Sequence, residues 1–337
     1  MLNVAMVGLG YWGNNLLRNF LATPEVRVVA LCDLRPDILA AAREKAPQAT
    51  GYADYGAMLA GTPADAVVVA TPAKTHFPFA RDALAAGRHV LLEKPATGSL
   101  AEMRELAALA AAGNRVLHID HTPIFPYSVD RLKAAIAGER ERTGRGLRTL
   151  SSVRMGPYAL RDDVHIVADV AIHDLALFDH LLDGRLPDTL SVQGRRWLPD
   201  WPVAEAVANL SYGDTMATVH VGWMCAEKRQ LIRANFGDCL AMYEEPLAAD
   251  KLRIYRMVPD TERRLPDQYR YTLERVPGAE PPPGETLARL CAHFRDCIAG
   301  RESALSGAAM GVRLAAVLEA ADASLAAGGA LVEVARP

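Results

Sequence analysis

Val4-Ala5-Met6-Val7-Gly8-Leu9-Gly10-Tyr11-Trp12-Gly13 is the stretch from which the fold is read. The apolar run Val4 to Val7 has the composition of a strand buried on both faces of a parallel sheet. Three glycines follow with the spacing G-x-G-x-x-G, and Asn14 to Leu21 reads as a helix. A second strand, Arg27 to Cys32, ends in Asp33, twenty residues past Gly13. Strand, glycine loop, helix, strand and acid in this order form the dinucleotide-binding arrangement. The alternative, glycines that only shape a turn, leaves the strand before them and the acid after them unexplained. Gly8 permits the tight turn, Gly10 lets a pyrophosphate approach the backbone, and Gly13 lets the helix pack on the sheet. Tyr11 and Trp12 lie in the same loop and join the expected cofactor-binding set. The helix start turns unpaired N–H groups and a positive dipole end toward phosphates. Asp33 can accept hydrogen bonds from an adenosine ribose and repels a 2′-phosphate, which favours NAD over NADP. Arg35, two residues on, softens that preference.

A chain of 337 residues, half of them hydrophobic, is long enough for two domains with their own cores. The formal net charge of −3 argues against a nucleic-acid partner or a membrane-surface partner. No apolar run approaches the ~20 residues that span a bilayer, and the chain opens on a strand rather than a signal peptide. Five scattered cysteines, Cys32, Cys225, Cys239, Cys291 and Cys297, fit reduced thiols in a cytoplasmic protein. None forms C-x-x-C, so no zinc site is expected.

Outward from the glycine loop, strands are expected at 2–7, 27–32, 66–70, 88–92 and 115–119. Helices are expected between them at 14–21, 37–46, 54–60, 76–86 and 99–112. This alternation predicts a Rossmann-type, doubly wound parallel sheet in a domain of residues 1–121. The rest, 122–337, reads as an α+β domain with a large, open, mostly antiparallel sheet. In it a helix near 125–137, a strand near 147–155 and a long helix at 165–182 precede strands at 188–197, 203–212, 215–223, 229–236, 239–243 and 252–257. The segment 259–284, with Pro281-Pro282-Pro283, reads as an extended loop before helices at 285–299 and 306–326 and a short tail strand.

Ala70-Thr71-Pro72 and Glu93-Lys94-Pro95 end two parallel strands. Ligands of open α/β sheets bind outside those ends, so Thr71, Pro72, Glu93 and Lys94 point to the same crevice as the glycines. Lys94 either holds a substrate oxygen and stabilises its negative charge or is a surface lysine at a strand end. Pro95 admits a cis bond, although X–Pro bonds are usually trans. His76 lies near the nicotinamide region or simply starts a helix. Asp169 and His173, spaced i and i+4, share a helix face. There His173 could take a hydroxyl proton and Asp169 orient it; the bland alternative is a surface pair. His118, Asp120 and His121 end the fifth strand. They hint at a metal but offer no fourth ligand, so substrate or cofactor contact, with His121 foremost, is preferred and no metal is expected. Arg154, Tyr158 and Arg161 are candidate contacts to an anionic substrate.

Taken together, Gly8–Gly13, Asp33, Ala70-Thr71-Pro72 with His76, Glu93-Lys94-Pro95, Asp169-x-x-x-His173 and the tail from Leu287 to Val334 resemble the Gfo/Idh/MocA oxidoreductases. The resemblance implies NAD(P) chemistry on sugars, sugar nucleotides or cyclitols. It makes Lys94 and His173, with Asp169 beside them, the leading catalytic residues, with Lys94, His121, Arg154, Tyr158, Asp169 and His173 at the substrate. It also implies a homo-oligomer, dimer or tetramer. Gly-Tyr-Trp-Gly-Asn-Asn-Leu-Leu-Arg-Asn-Phe, Asp120-His121-Thr122 and Asp163-Val164-His165 look closer to nucleotide-sugar 3-dehydrogenases, although Pro123 and Ala171 depart from that pattern. Ketosugar reduction, oxidation of inositol or a free sugar, NAD-dependent glycoside cleavage and a non-catalytic NAD-responsive sensor are the alternatives.

Overall fold

The computed structural model describes residues 1–247, 249–260, 270–278 and 284–336. The chain divides into two compact units, Met1–Phe125 with Gly284–Glu319, and Pro126–Pro283 with Ala320–Ala335.

The first unit is built on parallel strands β1 (Leu2–Val7), β2 (Val26–Cys32), β3 (Thr50–Tyr52), β4 (Ala66–Val69), β5 (His89–Leu92) and β6 (Leu117–Ile119). Their order is β3-β2-β1-β4-β5-β6, the doubly wound order with its reversal between β1 and β4. Helices α1 (Tyr11–Ala22), α2 (Pro36–Lys45), α3 (Tyr55–Gly61), α4 (His76–Ala85) and α5 (Leu100–Ala112) connect them. Ala5, Val7, Val67, Val69, Val90 and Leu92 pack with Met103 and Leu106 in one core layer. Val4 and Met6 alternate to the other face, and α1 buries Leu16, Leu17 and Phe20. Three-residue β3 has too little pattern to be read from sequence; it is held by pairing with Ala30 to Cys32.

Backbone bonds continue one residue past each strand. Gly8 N donates to Cys32 O (2.9 Å), Ala70 N to Val7 O (2.9 Å), Glu93 N to Val69 O (2.9 Å) and Asp120 N to Leu92 O (2.8 Å). Gly8, Ala70, Glu93 and Asp120 therefore stand in one row along the carboxyl edge of the sheet.

The second unit begins with α6 (Tyr127–Thr143) and β7 (Leu147–Pro157). A π turn, Val167–Ala171, leads into α7 (Ile172–Leu181). The long helix expected at 165–182 is thus a π turn joined to a shorter α-helix, and Asp169 lies in the first part while His173 lies in the second. Strands β8 (Thr189–Arg195), β9 (Glu205–Tyr212), β10 (Thr215–Gly222), β11 (Met224–Phe236), β12 (Cys239–Glu244), β13 (Leu252–Pro259) and β14 (Tyr271–Arg275) follow. After α8 (Thr286–Ile298) and α9 (Ala308–Ala326), β15 (Val332–Glu333) closes a nine-stranded sheet of order β14-β13-β12-β11-β7-β10-β9-β8-β15. Every pairing in it is antiparallel except β7 with β10. Burial alternates along β9, with Ala206, Ala208, Leu210 and Tyr212 inward, as one covered face requires.

Two expectations need correction. The loop expected at 259–284 contains β14, whose Tyr271 to Arg275 pair with β13; Pro281-Pro282-Pro283 lie outside the described residues. The division at 121/122 also differs, because residues 284–319 pack with the N-terminal unit. The physical reason is the stripe on α8. Leu287, Leu290, Cys291 and Phe294 follow helical spacing and are buried. Phe294 meets Phe20 edge-on at 6.4 Å and 76°, and Arg18 Nη1 donates to Glu285 Oε2 at 2.9 Å. Replacing Phe294 by Ala is expected to cost about 3–5 kcal/mol of stability in this unit. Chemical denaturation would show it, and an unchanged midpoint would remove α8 from the core of the nucleotide-binding unit.

Candidate nucleotide and catalytic residues

Gly8 leaves β1 with φ +84°, and a Cβ there would lie 2.5 Å from Ala70 O. A Cβ on Gly13 would lie 1.9 Å from Gly8 O, so α1 can start this close to β1 only at a glycine. Gly10 is different: a Cβ there would find Arg35 Nη2 at 3.6 Å as its nearest neighbour. That position is open to an incoming group, not filled by the fold. No side chain caps α1, and its first turn holds no acid, which leaves its N–H groups and dipole available to phosphate. This cradle fits a dinucleotide. Asp33, buried at the end of β2, accepts from Leu9 N at 2.8 Å and ties the loop to the neighbouring strand. Burial raises its carboxyl, but the Arg35 side chain and backbone bonds outweigh that and hold it below the usual range.

Further along the edge, His76 Nε2 lies 2.7 Å from Thr71 O and Nδ1 lies 2.8 Å from Pro95 O. His76 thereby joins the turn after β4 to the turn after β5. It also begins α4. The Lys94–Pro95 bond is cis. Burial, then Asp120, pushes the Glu93 carboxyl well above its ordinary range. Asp120 accepts from Trp12 Nε1 (2.9 Å), Thr122 N (3.1 Å) and Thr122 Oγ1 (2.5 Å). The Trp12 bond ties the glycine loop to the end of β6, a link across 108 residues that sequence spacing does not reveal. Its one available signal is that a Trp N–H near a buried edge needs an acceptor. His121 is fully buried, and burial pushes it down to about 4. His118 is likewise buried, among His293, Phe125 and Phe294, and burial pushes it down to about 3.

In the second unit, Asp169 Oδ2 accepts from Trp223 Nε1 at 3.0 Å, and Oδ1 lies 3.5 Å from Arg161 Nη1. Trp223, buried just past β10, was missed from sequence as the residue that orients this carboxylate. His173 stands at the start of α7 and is partly exposed, while Ile172 and Asp174 to Leu181 are all buried. Arg154 is not open to solvent. Its Nε lies 3.1 Å from both oxygens of Asp174, and Nη1 lies 3.4 Å from Glu245. Burial lowers the Arg154 guanidinium's pKa; Asp174 and then Glu245 outweigh it and push it above its ordinary value. The Gln230 amide completes the group, its oxygen facing Arg154 and Tyr158 and its nitrogen facing Glu245. Arg154 and Tyr158 thus belong to a buried polar network of this unit, and Arg161 pairs with Asp163 at 2.6 Å. His165 Nε2 lies 2.7 Å from Asp322 Oδ1, at a cavity of about 910 Å3 that Arg154, Tyr158, Asp169 and His173 do not line. Among the described residues, Glu139, Asp238 and Cys239 bring metal-ligand atoms within 4.8 Å of one another. Arg142 and Arg256 already pair with both carboxylates there.

Two outcomes follow from this geometry. Gly10→Ala should keep the thermal midpoint yet weaken NADH binding at least tenfold, whereas Gly13→Ala should lose both. Fluorescence titration beside thermal unfolding separates them, and equal behaviour of the two variants would refute the cradle. His118 and His121 are neutral when folded but gain protons near 6.5 once unfolded. Their contribution to stability is complete above about pH 6.5 and is lost progressively as pH falls toward 4 and 3. His118→Phe should flatten the acid limb of the stability profile measured by denaturation between pH 7 and 4.

Residues 2–121 match the family model of an oxidoreductase family with an NAD-binding Rossmann fold, GFO_IDH_MocA. UDP-N-acetylglucosamine 3-dehydrogenase of Acidithiobacillus ferrooxidans is 36% identical over 114 residues, 34% of each chain. Inositol 2-dehydrogenase 2 of Saccharopolyspora erythraea is 30% identical over 185 residues, 54% of each chain. The chain thus matches about a third to a half of the length of these relatives. The solved structure of UDP-N-acetylglucosamine 3-dehydrogenase GnnA from Acidithiobacillus ferrooxidans shares the fold, with a TM-score of 0.81 at 24% identity over 97% of this chain and 98% of that one. Residues 2–121 therefore match the NAD-binding Rossmann domain of the Gfo/Idh/MocA oxidoreductases.

Proposed function

We propose that the chain is an NAD-dependent dehydrogenase that oxidises a secondary hydroxyl of a sugar or nucleotide sugar, at C3 in the nucleotide-sugar case. The observation that carries this reading is the row of strand ends. It sets Lys94 one residue past Glu93 on the same sheet edge as the dinucleotide cradle. Relatives named for dehydrogenation of a UDP-sugar and of inositol support the substrate class. The bound dinucleotide supplies a hydride acceptor.

Lys94 holds the substrate oxygen through its ammonium and stabilises the negative charge that grows there as the C–H bond breaks. His173 takes the hydroxyl proton, leaving a carbonyl. Asp169, held by Trp223 and Arg161, is fixed in orientation and serves as a positioning group for the substrate or for His173. Run backward, the same groups reduce a ketosugar. Five free cysteines, four of them buried, support a cytoplasmic location. The one-sided burial of the nine-stranded sheet supports a homo-oligomer.

Lys94→Met should lower turnover by about 10²–10⁴-fold with NADH affinity unchanged, as read from steady-state rates beside fluorescence titration. Turnover within a factor of a few of wild type would exclude Lys94 from the chemistry. Thermal shifts with UDP-N-acetylglucosamine, UDP and free inositol, each with NAD present, test the substrate class. Stabilisation by inositol alone would overturn the nucleotide-sugar reading.

A further inference from the structure

Asp33 has no acceptor capacity left for a ribose. Oδ1 accepts from Arg35 N at 3.0 Å and Arg35 Nε at 3.0 Å, while Oδ2 accepts from Leu9 N at 2.8 Å and Arg35 Nη2 at 3.1 Å. An ionised carboxylate offers about four lone-pair sites, and all of them are engaged. Two of the four donors are backbone N–H groups that the fold itself places. The other two are a parallel fork from one guanidinium, the geometry in which Arg binds a carboxylate most strongly. This fork takes the acceptor sites on Asp33 that the sequence pattern assigns to the hydroxyls of an adenosine ribose.

The guanidinium is not built into the core. The Arg35 side chain is 58% exposed, against 6% for that of Asp33, and its Nη2 is the nearest atom to the open Cβ position of Gly10. The acids acting on it are Asp33 and, more weakly, Asp37. With Nε–H and one Nη2 hydrogen spent on Asp33, three of its five N–H donors remain directed away from that carboxylate.

We propose that Arg35 makes this a site for both NAD and NADP, by two different poses of one side chain. For NAD, the ribose hydroxyls displace the fork and take its place on Asp33, so the guanidinium acts as a resident competitor. For NADP, the fork stays on Asp33, cancels its repulsion, and presents its remaining N–H groups to the 2′-phosphate. Asp33 read alone predicts rejection of that phosphate; Asp33 masked by Arg35 does not.

The test is equilibrium binding of NADH and NADPH by fluorescence titration and calorimetry, in wild type and in Arg35→Ala. The side chain is exposed, so the variant should fold, and its thermal midpoint checks this. Wild type should bind the two dinucleotides within about tenfold of each other, NADPH with the steeper salt dependence. Arg35→Ala should weaken NADPH at least tenfold and leave NADH equal or several-fold tighter. Arg35→Lys keeps the charge but not the fork, and should restore only part of the NADPH affinity. Wild type that binds NADH over a hundredfold more tightly than NADPH would overturn the proposal, as would equal weakening of both ligands by Arg35→Ala. Failure of wild type to bind either dinucleotide would overturn the nucleotide site itself and the proposal with it.

Discussion

The first unit depends on one close approach, that of the α1 start to the β1 exit. Gly13 sits so near the Gly8 carbonyl that no Cβ could stand between them. This contact sets where α1 begins, and therefore where its unpaired N–H groups point. Gly8, at positive φ, turns the chain within one residue of the end of β1. Leu9 N then reaches Asp33 on β2, and Trp12 reaches Asp120 beyond β6. The loop is thus pinned from both sides of the sheet by side chains that lie far from it in sequence. A glycine loop without those bonds would have the freedom of its composition; with them it is a preformed cradle.

Along the same edge the acids are managed rather than merely collected. Asp33 is charged and covered by a guanidinium. Asp120 is held by an indole, a hydroxyl and a backbone N–H. The Glu93 carboxyl is pushed upward by burial and by the carboxylate beside it. The second unit handles its interior charges in the same way. Asp174 neutralises Arg154, Trp223 and Arg161 fix Asp169, and Gln230 distributes its amide among three polar partners. The Arg154–Asp174 and Trp223–Asp169 bonds join residues 20 and 54 apart and need the tertiary fold before they exist.

What could be read from the sequence followed from local rules. The alternating apolar runs and helical stretches marked five of the six strands and the five helices between them in the first unit, because strands buried on both faces leave an unbroken apolar signature. The glycine spacing, the acid after β2 and the strand-end position of Lys94 follow from the same logic. The misreadings share a cause. Thr50 to Tyr52 and Tyr271 to Arg275 are strands because a neighbour pairs with them, not because their own pattern demands it. Arg154 looked like an anion contact because a lone arginine in sequence has no visible partner. The stretch 165–182 looked like one continuous α-helix because a π turn leaves no periodic mark in so short a stretch. The domain boundary was placed too early because the stripe on α8 says only that the helix has an apolar face, not which core receives it.

By itself, then, the sequence determined the nucleotide-binding topology and the residue types on offer, since these rest on periodicity, chirality and the steric demands of glycine, all of which act over a few residues. Only the tertiary structure decided which of those residues are still available. Whether Asp33 faces ribose or Arg35, whether Arg154 meets a ligand or Asp174, and whether Glu93 bears a charge all depend on burial and on partners brought from elsewhere in the chain. Desolvation and pairing are properties of a place in the fold, and a place is what a linear pattern does not contain.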